Sequence, residues 1–212
     1  MAKRLFDRDA FDEKEARSLT SSAVGVVLVG LDGFEEEQVR QAGIDVPRGL
    51  DSGQEAVRLE LATLIRRMGD ELDRDPQFTR SIDRVPVRDP QKGYELFRDV
   101  TWEVCFRSSG ITWRRIAAAF VLAGKLAAKV LREFSTVVER IRRFISLILD
   151  WMCRFIREYL WSWIAGSGGW NSLKEAEENK GPGRSWINSI VPVGIGALAV
   201  GLMFGYFFAR HH

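Results

Sequence analysis

Thr112-Trp113-Arg114-Arg115-Ile116-Ala117-Ala118-Ala119-Phe120-Val121-Leu122-Ala123-Gly124-Lys125-Leu126-Ala127-Ala128-Lys129-Val130-Leu131 carries two charges after Arg115, Lys125 and Lys129, spaced i and i+4. Thr112 is placed to cap a helix that begins at Trp113. A helix apolar on nearly every face has to be surrounded by other elements. Val137-Val138-Glu139-Arg140-Ile141-Arg142-Arg143-Phe144-Ile145-Ser146-Leu147-Ile148-Leu149 follows at once, and so short a connection predicts a central antiparallel hairpin. The residues leave open whether this hairpin is simply the core pair of a bundle or one able to move into lipid.

Working outward, apolar periodicity predicts helices over about residues 10–30, 52–75, 93–107, 112–134, 136–151 and 152–165. Ser52-Gly53-Gln54-Glu55 and Thr136-Val137-Val138-Glu139 have capping-box spacing. Pro47, Pro76, Pro86 and Pro90 fall outside these helices. Val24-Gly25-Val26-Val27-Leu28-Val29 is β-branched enough for a strand, but no partner strand is evident, so it is read as helix. The fold class is all-α.

With 212 residues and 46% hydrophobic content, the chain has enough apolar material for one domain plus an appendage. A formal charge of +2 implies no nucleic-acid partner. Cys105 and Cys153 fit no zinc or disulfide pattern and read as buried free thiols in a reducing compartment. Both histidines, His211 and His212, end the chain, so its body holds no imidazole for general-base or metal chemistry. No enzyme signature, metal set or cofactor motif is present. The start, Met1-Ala2-Lys3-Arg4-Leu5-Phe6-Asp7, is too charged for a secretory signal.

Near the other end, Gly166-Ser167-Gly168-Gly169 breaks the helical pattern, and the folded domain is expected to span residues 1–180. Residues 181–184 form a polar linker. From Ser185 to Ala209 there is no charged side chain, and about 20 uncharged residues match bilayer thickness. Pro192 sits where a first helical turn tolerates it, and Gly201 and Gly205 have the spacing that lets helices associate in lipid. The expectation is a C-terminal transmembrane helix over 185–209 that anchors a cytosolic body.

Three further patterns are decisive together. Leu61, Ile65, Met68 and Leu72 lie at offsets of 4, 3 and 4, on one narrow helical face, with small Gly69 beside them and Asp70 next to it. Thr112-Trp113-Arg114-Arg115 lies downstream, and Trp163-Ile164 followed by Gly168-Gly169-Trp170 lies further on. In this order and spacing they resemble the third, first and second homology motifs of the Bcl-2 family of apoptosis regulators. The resemblance covers about residues 52–209. Ile65 stands where the family usually has leucine, and Arg114 where it has glycine. A fourth motif is assigned near Ala16–Leu31, within N-terminal residues that match poorly.

The resemblance implies a Bcl-2-like helical bundle. It places the death-motif helix at about 55–75, the first motif at about 106–124 and the second at about 160–173. It implies a ligand side of Leu61, Ile65, Met68, Gly69, Asp70 and Leu72, a groove side of Trp113, Arg115 and Phe120, and groove closure by Trp163, Gly169 and Trp170. Gly169 is read as a helix start or turn needing close backbone approach. In the family the aspartate pairs with the arginine, here Asp70 with Arg115, although an ideal helical wheel puts Asp70 well off the apolar stripe. The runs Gly69-Asp70-Glu71-Leu72-Asp73 and Gly124–Leu131 resemble the Bax, Bak and Bok effector branch. That implies a pro-apoptotic protein with other family members, itself and lipid as partners, acting at the outer mitochondrial membrane, with the cytosol and endoplasmic reticulum as alternative locations. The competing readings are a survival guardian whose groove sequesters death-motif helices, and a tail-anchored scaffold outside the family.

Overall fold

The computed structural model describes residues 11–44, 53–74, 82, 89–106, 110–134, 137–170 and 172. Its elements are α1 (Glu13–Gly30), α2 (Glu36–Gln41), α3 (Gly53–Asp73), α4 (Pro90–Phe106), α5 (Trp113–Glu133), α6 (Val138–Phe155), a π-helical segment (Ile156–Leu160) and α7 (Trp161–Gly166). No strand occurs among the described residues. Residues 181–184 and 185–209, with the expected linker and transmembrane helix, lie outside the described residues. Among the described ones, no helix is long and apolar enough to cross a membrane.

Helix α5 is the axis of the bundle. It touches α1, α3, α4 and α6, and Ile116, Ala117, Ala119, Phe120, Val121, Ala123, Ala127, Ala128 and Val130 are fully buried. The charge-free run therefore lies inside, where its burial replaces water around the whole cylinder. Thr112 caps it as expected, its hydroxyl accepting from the Arg115 amide at 3.4 Å. The hairpin corner to α6 is tightened by Phe134 stacked on Phe144, with centroids 5.2 Å apart.

Helix α1 crosses both α5 and α3 at very close range. A Cβ added to Gly124 would lie 2.4 Å from Val27 Cβ, and one added to Gly69 would lie 2.0 Å from Leu31 Cδ1. The β-branched run Val24–Val29 is helical, with Val24, Val27 and Leu28 fully buried. Asp12 caps α1, accepting from the Glu15 amide at 2.9 Å.

Four details differ from the sequence reading. Pro90 is not outside a helix but is the first residue of α4. A missing N–H costs nothing in the first turn, and Asp89 accepts from the Gln91 and Lys92 amides at 3.1 and 3.2 Å. Helix α6 starts one residue late for a Thr136–Glu139 capping box, because Val137 occupies the cap position without a side-chain hydrogen bond. Ser52 and Thr136 themselves lie outside the described residues. No break occurs at 151/152, where neither glycine nor proline interrupts the helix; the chain continues to Phe155 and widens into the π segment, with the Trp161 amide bonded to Ile156 O. Short α2 was not anticipated. It carries its own capping box between Glu35 and Gln38.

The two glycine contacts should respond differently to a methyl group. Gly124→Ala presses on the rigid branch point of Val27 and should cost about 1–3 kcal/mol in urea unfolding. Gly69→Ala should cost less, because it meets the rotatable end of Leu31. A Gly124→Ala protein as stable as wild type would refute this packing.

Candidate functional site: the motif helix and its clamp

Helix α3 brings its apolar stripe to the interior. Leu61, Ile65, Met68 and Leu72 are buried between α1 and α5, with Met68 and Ile65 fully so. Leu64 joins them, nearly fully buried. The sequence reading missed it, although it lies three residues from Leu61 and four from Met68, inside a wider stripe of the ordinary core-facing kind. Gly69 lies against Leu31, the residue that follows α1, and Asp70 faces solvent.

The end of α3 is fixed by charge. Lys125, in the otherwise apolar middle of α5, has a side chain only 11% exposed, and its Nζ donates to Asp73 Oδ2 at 2.7 Å. The same ammonium lies 3.4 Å from Asp32 Oδ2, whose carboxylate is 7% exposed. Asp32 also accepts from Arg132 Nη2 at 2.5 Å. An unpaired buried ammonium is expensive, so two carboxylates from two other elements are what make Lys125 tolerable there. The cluster ties the α1–α2 connection and the last residue of α3 to the central helix. Its signal in the sequence was a charge, one of only two in the apolar run, which demands a partner.

At the start of α5, Trp113 lies edge-on to Trp163 at 5.3 Å and tilted against Trp170 at 5.7 Å. The structure thus joins the first and second motifs through three indoles. Helix α7 ends in a Schellman turn: the Gly169 amide bonds Ile164 O at 2.9 Å, and the Gly168 amide bonds Ala165 O at 3.3 Å. Gly168 and Gly169 have φ of +103° and +73°. A Cβ at Gly169 would meet nothing within 4 Å, so left-handed backbone conformation, rather than close approach, requires glycine there.

Arg115 is 7% exposed, and its Nη1 donates to Gly110 O at 2.8 Å. No ion pair joins Asp70 to Arg115 among the described residues. Phe120 is fully buried, inside the core of the closed bundle. Both cysteines are free and buried. Cys105 Sγ lies 3.9 Å from Arg115 O, and burial pushes its thiol pKa from 9.0 up to about 12. Burial also raises that of Cys153, against a hydrogen bond with Thr20 that lowers it. No metal-binding cluster of His, Cys, Asp or Glu occurs among the described residues.

One bundle wrapped round an apolar helix thus holds all three motifs, two joined by tryptophans and the third packed inside. A family profile described as apoptosis regulator proteins, Bcl-2 family, matches residues 65–170. The chain is 32% identical over 145 residues to the apoptosis regulator BAX of Bos taurus, covering 68% of this chain and 70% of that one. It is 25% identical over 128 residues to the Bcl-2-related ovarian killer protein of Mus musculus, covering 58% and 56%. The crystal structure of chicken BOK superposes with a TM-score of 0.51 at 20% identity, over 78% of this chain and 98% of that one. The chain belongs to the Bcl-2 family. Within it, this is a Bax- and BOK-like apoptosis regulator.

Two measurements check the site. Lys125→Met leaves Asp32 and Asp73 without their ammonium and should lower stability by about 3 kcal/mol in urea unfolding, with a smaller further loss when Asp32→Asn is added. Strict additivity would show that the charges act independently. Because the folded-state pKa of Cys105 lies above its unfolded value, its contribution to stability is complete below pH 9 and declines as pH rises towards 12. Alkaline unfolding titrations should show a steeper decline for wild type than for Cys105→Ala, in which Cys153 still titrates.

Proposed function

We propose that this chain is a pro-apoptotic effector which, once triggered, releases α3 from the bundle, associates with further copies through that helix, and permeabilises the outer mitochondrial membrane. The role is non-enzymatic and needs no cofactor. One observation carries the reading: the motif side chains Leu61, Ile65, Met68 and Leu72 are core residues of the closed bundle, so they become a ligand only after α3 leaves. Similarity to BAX over two thirds of the chain supports the same role.

In the active state Leu61, Ile65, Met68 and Leu72 enter a hydrophobic groove on a second copy, as amphipathic helices do. Gly69 permits close approach, and Asp70, exposed at rest, meets Arg115 of the other copy. Trp113, Arg115 and Phe120 form the groove, and Trp163, Gly169 and Trp170 close its end. Partners are a second copy and other family members. Residues 185–209 anchor the protein in lipid, joined to the 1–180 domain by the 181–184 linker.

The test is cytochrome c release from mitochondria lacking endogenous Bax and Bak, with purified protein added with and without a death-motif peptide. Peptide-dependent release is expected. Protection against added active Bax, without release, would make the chain a guardian; neither effect would overturn both roles. Asp70→Ala should fold like wild type, because Asp70 is exposed, yet lose oligomers on cross-linking and most of the release. Met68→Glu should lose both and also destabilise the closed bundle, because it buries an unpaired charge.

A further inference from the structure

The corner between α5 and α6 departs from the rules that stabilise helix starts. Its cap residue, Val137, offers no side-chain hydrogen bond. Val137 and Val138 are 41% and 47% exposed, two adjacent members of the four large exposed hydrophobics among the described residues. Arg140, Arg142 and Arg143 crowd the first two turns, the end of a helix whose dipole disfavours positive charge. Only Glu139 offsets them within residues 137–149. Such a coincidence of local costs is what a functional surface looks like.

The arginines also differ from others in the bundle. Arg17, Arg98, Arg132, Arg154 and Arg157 each lie against a carboxylate. Arg140 instead lies over the Phe134 ring at 5.5 Å, and Arg142 donates through Nε to Gln41 O at 2.8 Å. Arg143 is exposed, and its side chain makes no hydrogen bond or ion pair among the described residues. Nearby charges are already matched: Arg132 with Asp32, Lys129 with Glu133, and Arg40 with Glu36 and Glu37. Among the described residues, what remains at the corner is positive charge beside protruding aliphatic side chains.

We infer that this corner, Val137 and Val138 with Arg140, Arg142 and Arg143, is a docking surface for an anionic lipid bilayer, used by the folded bundle before any helix is released. The arginines supply charge complementary to lipid phosphates, with stems that lie along the interface while their heads reach the headgroups. The valines, on a helix-hairpin corner rather than in a cleft, enter the boundary between headgroups and acyl chains. The Phe134–Phe144 stack holds the corner rigid. The inference adds a first encounter with the membrane to the proposed effector role, and it uses residues outside both the motif helix and residues 185–209.

The test is co-sedimentation of the full chain, untriggered and at low salt, with vesicles of phosphatidylcholine alone or mixed with phosphatidylglycerol. Wild type should prefer the anionic vesicles, and added salt should erase the preference. At about fivefold per arginine, Arg142→Gln with Arg143→Gln should weaken binding to anionic vesicles about 25-fold and leave neutral vesicles unaffected. Val137→Ser with Val138→Ser should weaken both. Arg143→Gln alone, which breaks no side-chain hydrogen bond or ion pair among the described residues, should show its fivefold share even if the double variant folds less well. Unchanged anionic binding by these arginine variants, as expected if the corner seats an acidic protein, would overturn the inference. So would equal binding of wild type to both vesicles. Undiminished peptide-triggered release with undiminished binding would sink the corner and spare the effector role; lost binding in the variants beside a wild type that never releases contents would do the reverse.

Discussion

Enclosing α5 is the constraint on which the rest of the molecule depends. A helix with no polar face from Ile116 to Gly124 must be wrapped, and α1, α3, α4 and α6 supply the wrapping. Two points make the enclosure specific rather than merely greasy. Gly124 brings α1 against α5 at a distance no larger residue allows. Lys125, one residue on, requires carboxylates, and the positions that provide them, Asp32 and Asp73, fix where α1 ends and where α3 ends.

The functional consequence follows from the place of α3 in that wrapping. It is at once part of the wall around α5 and the bearer of the side chains proposed to bind a second copy. In the proposed function, resting stability and active binding compete for Leu61, Ile65, Met68 and Leu72, which is how a buried element would become a switch. Asp73, at the end of the same helix, joins the competition through Lys125. The α5–α6 corner stands apart from it, because its valines and arginines are exposed in the closed bundle.

Much of this was legible in the sequence. The all-helical architecture followed from apolar periodicity and from one run too apolar to be anything but central. Thr112 was readable as a cap because capping depends on one side chain and the amides three residues on. What escaped lacks such a local signature. Helix α2 is six residues long, shorter than two turns, and a π segment at Ile156–Leu160 has the composition of ordinary helix. The partners of Lys125 lie in other elements, so the charge could be noticed but not its clamp. The three tryptophans were each recognisable within motifs, whereas their mutual contact is a property of the assembled bundle.

The central claim is that α3 is core at rest and ligand when active. Amide hydrogen exchange across Gly53–Asp73, followed while a death-motif peptide triggers membrane permeabilisation, addresses it most directly. The account predicts strong protection of residues 61–72 in the resting protein and loss of that protection, with that of the facing turns of α1, before contents are released. Permeabilisation with α3 still protected against α1 and α5 would contradict it.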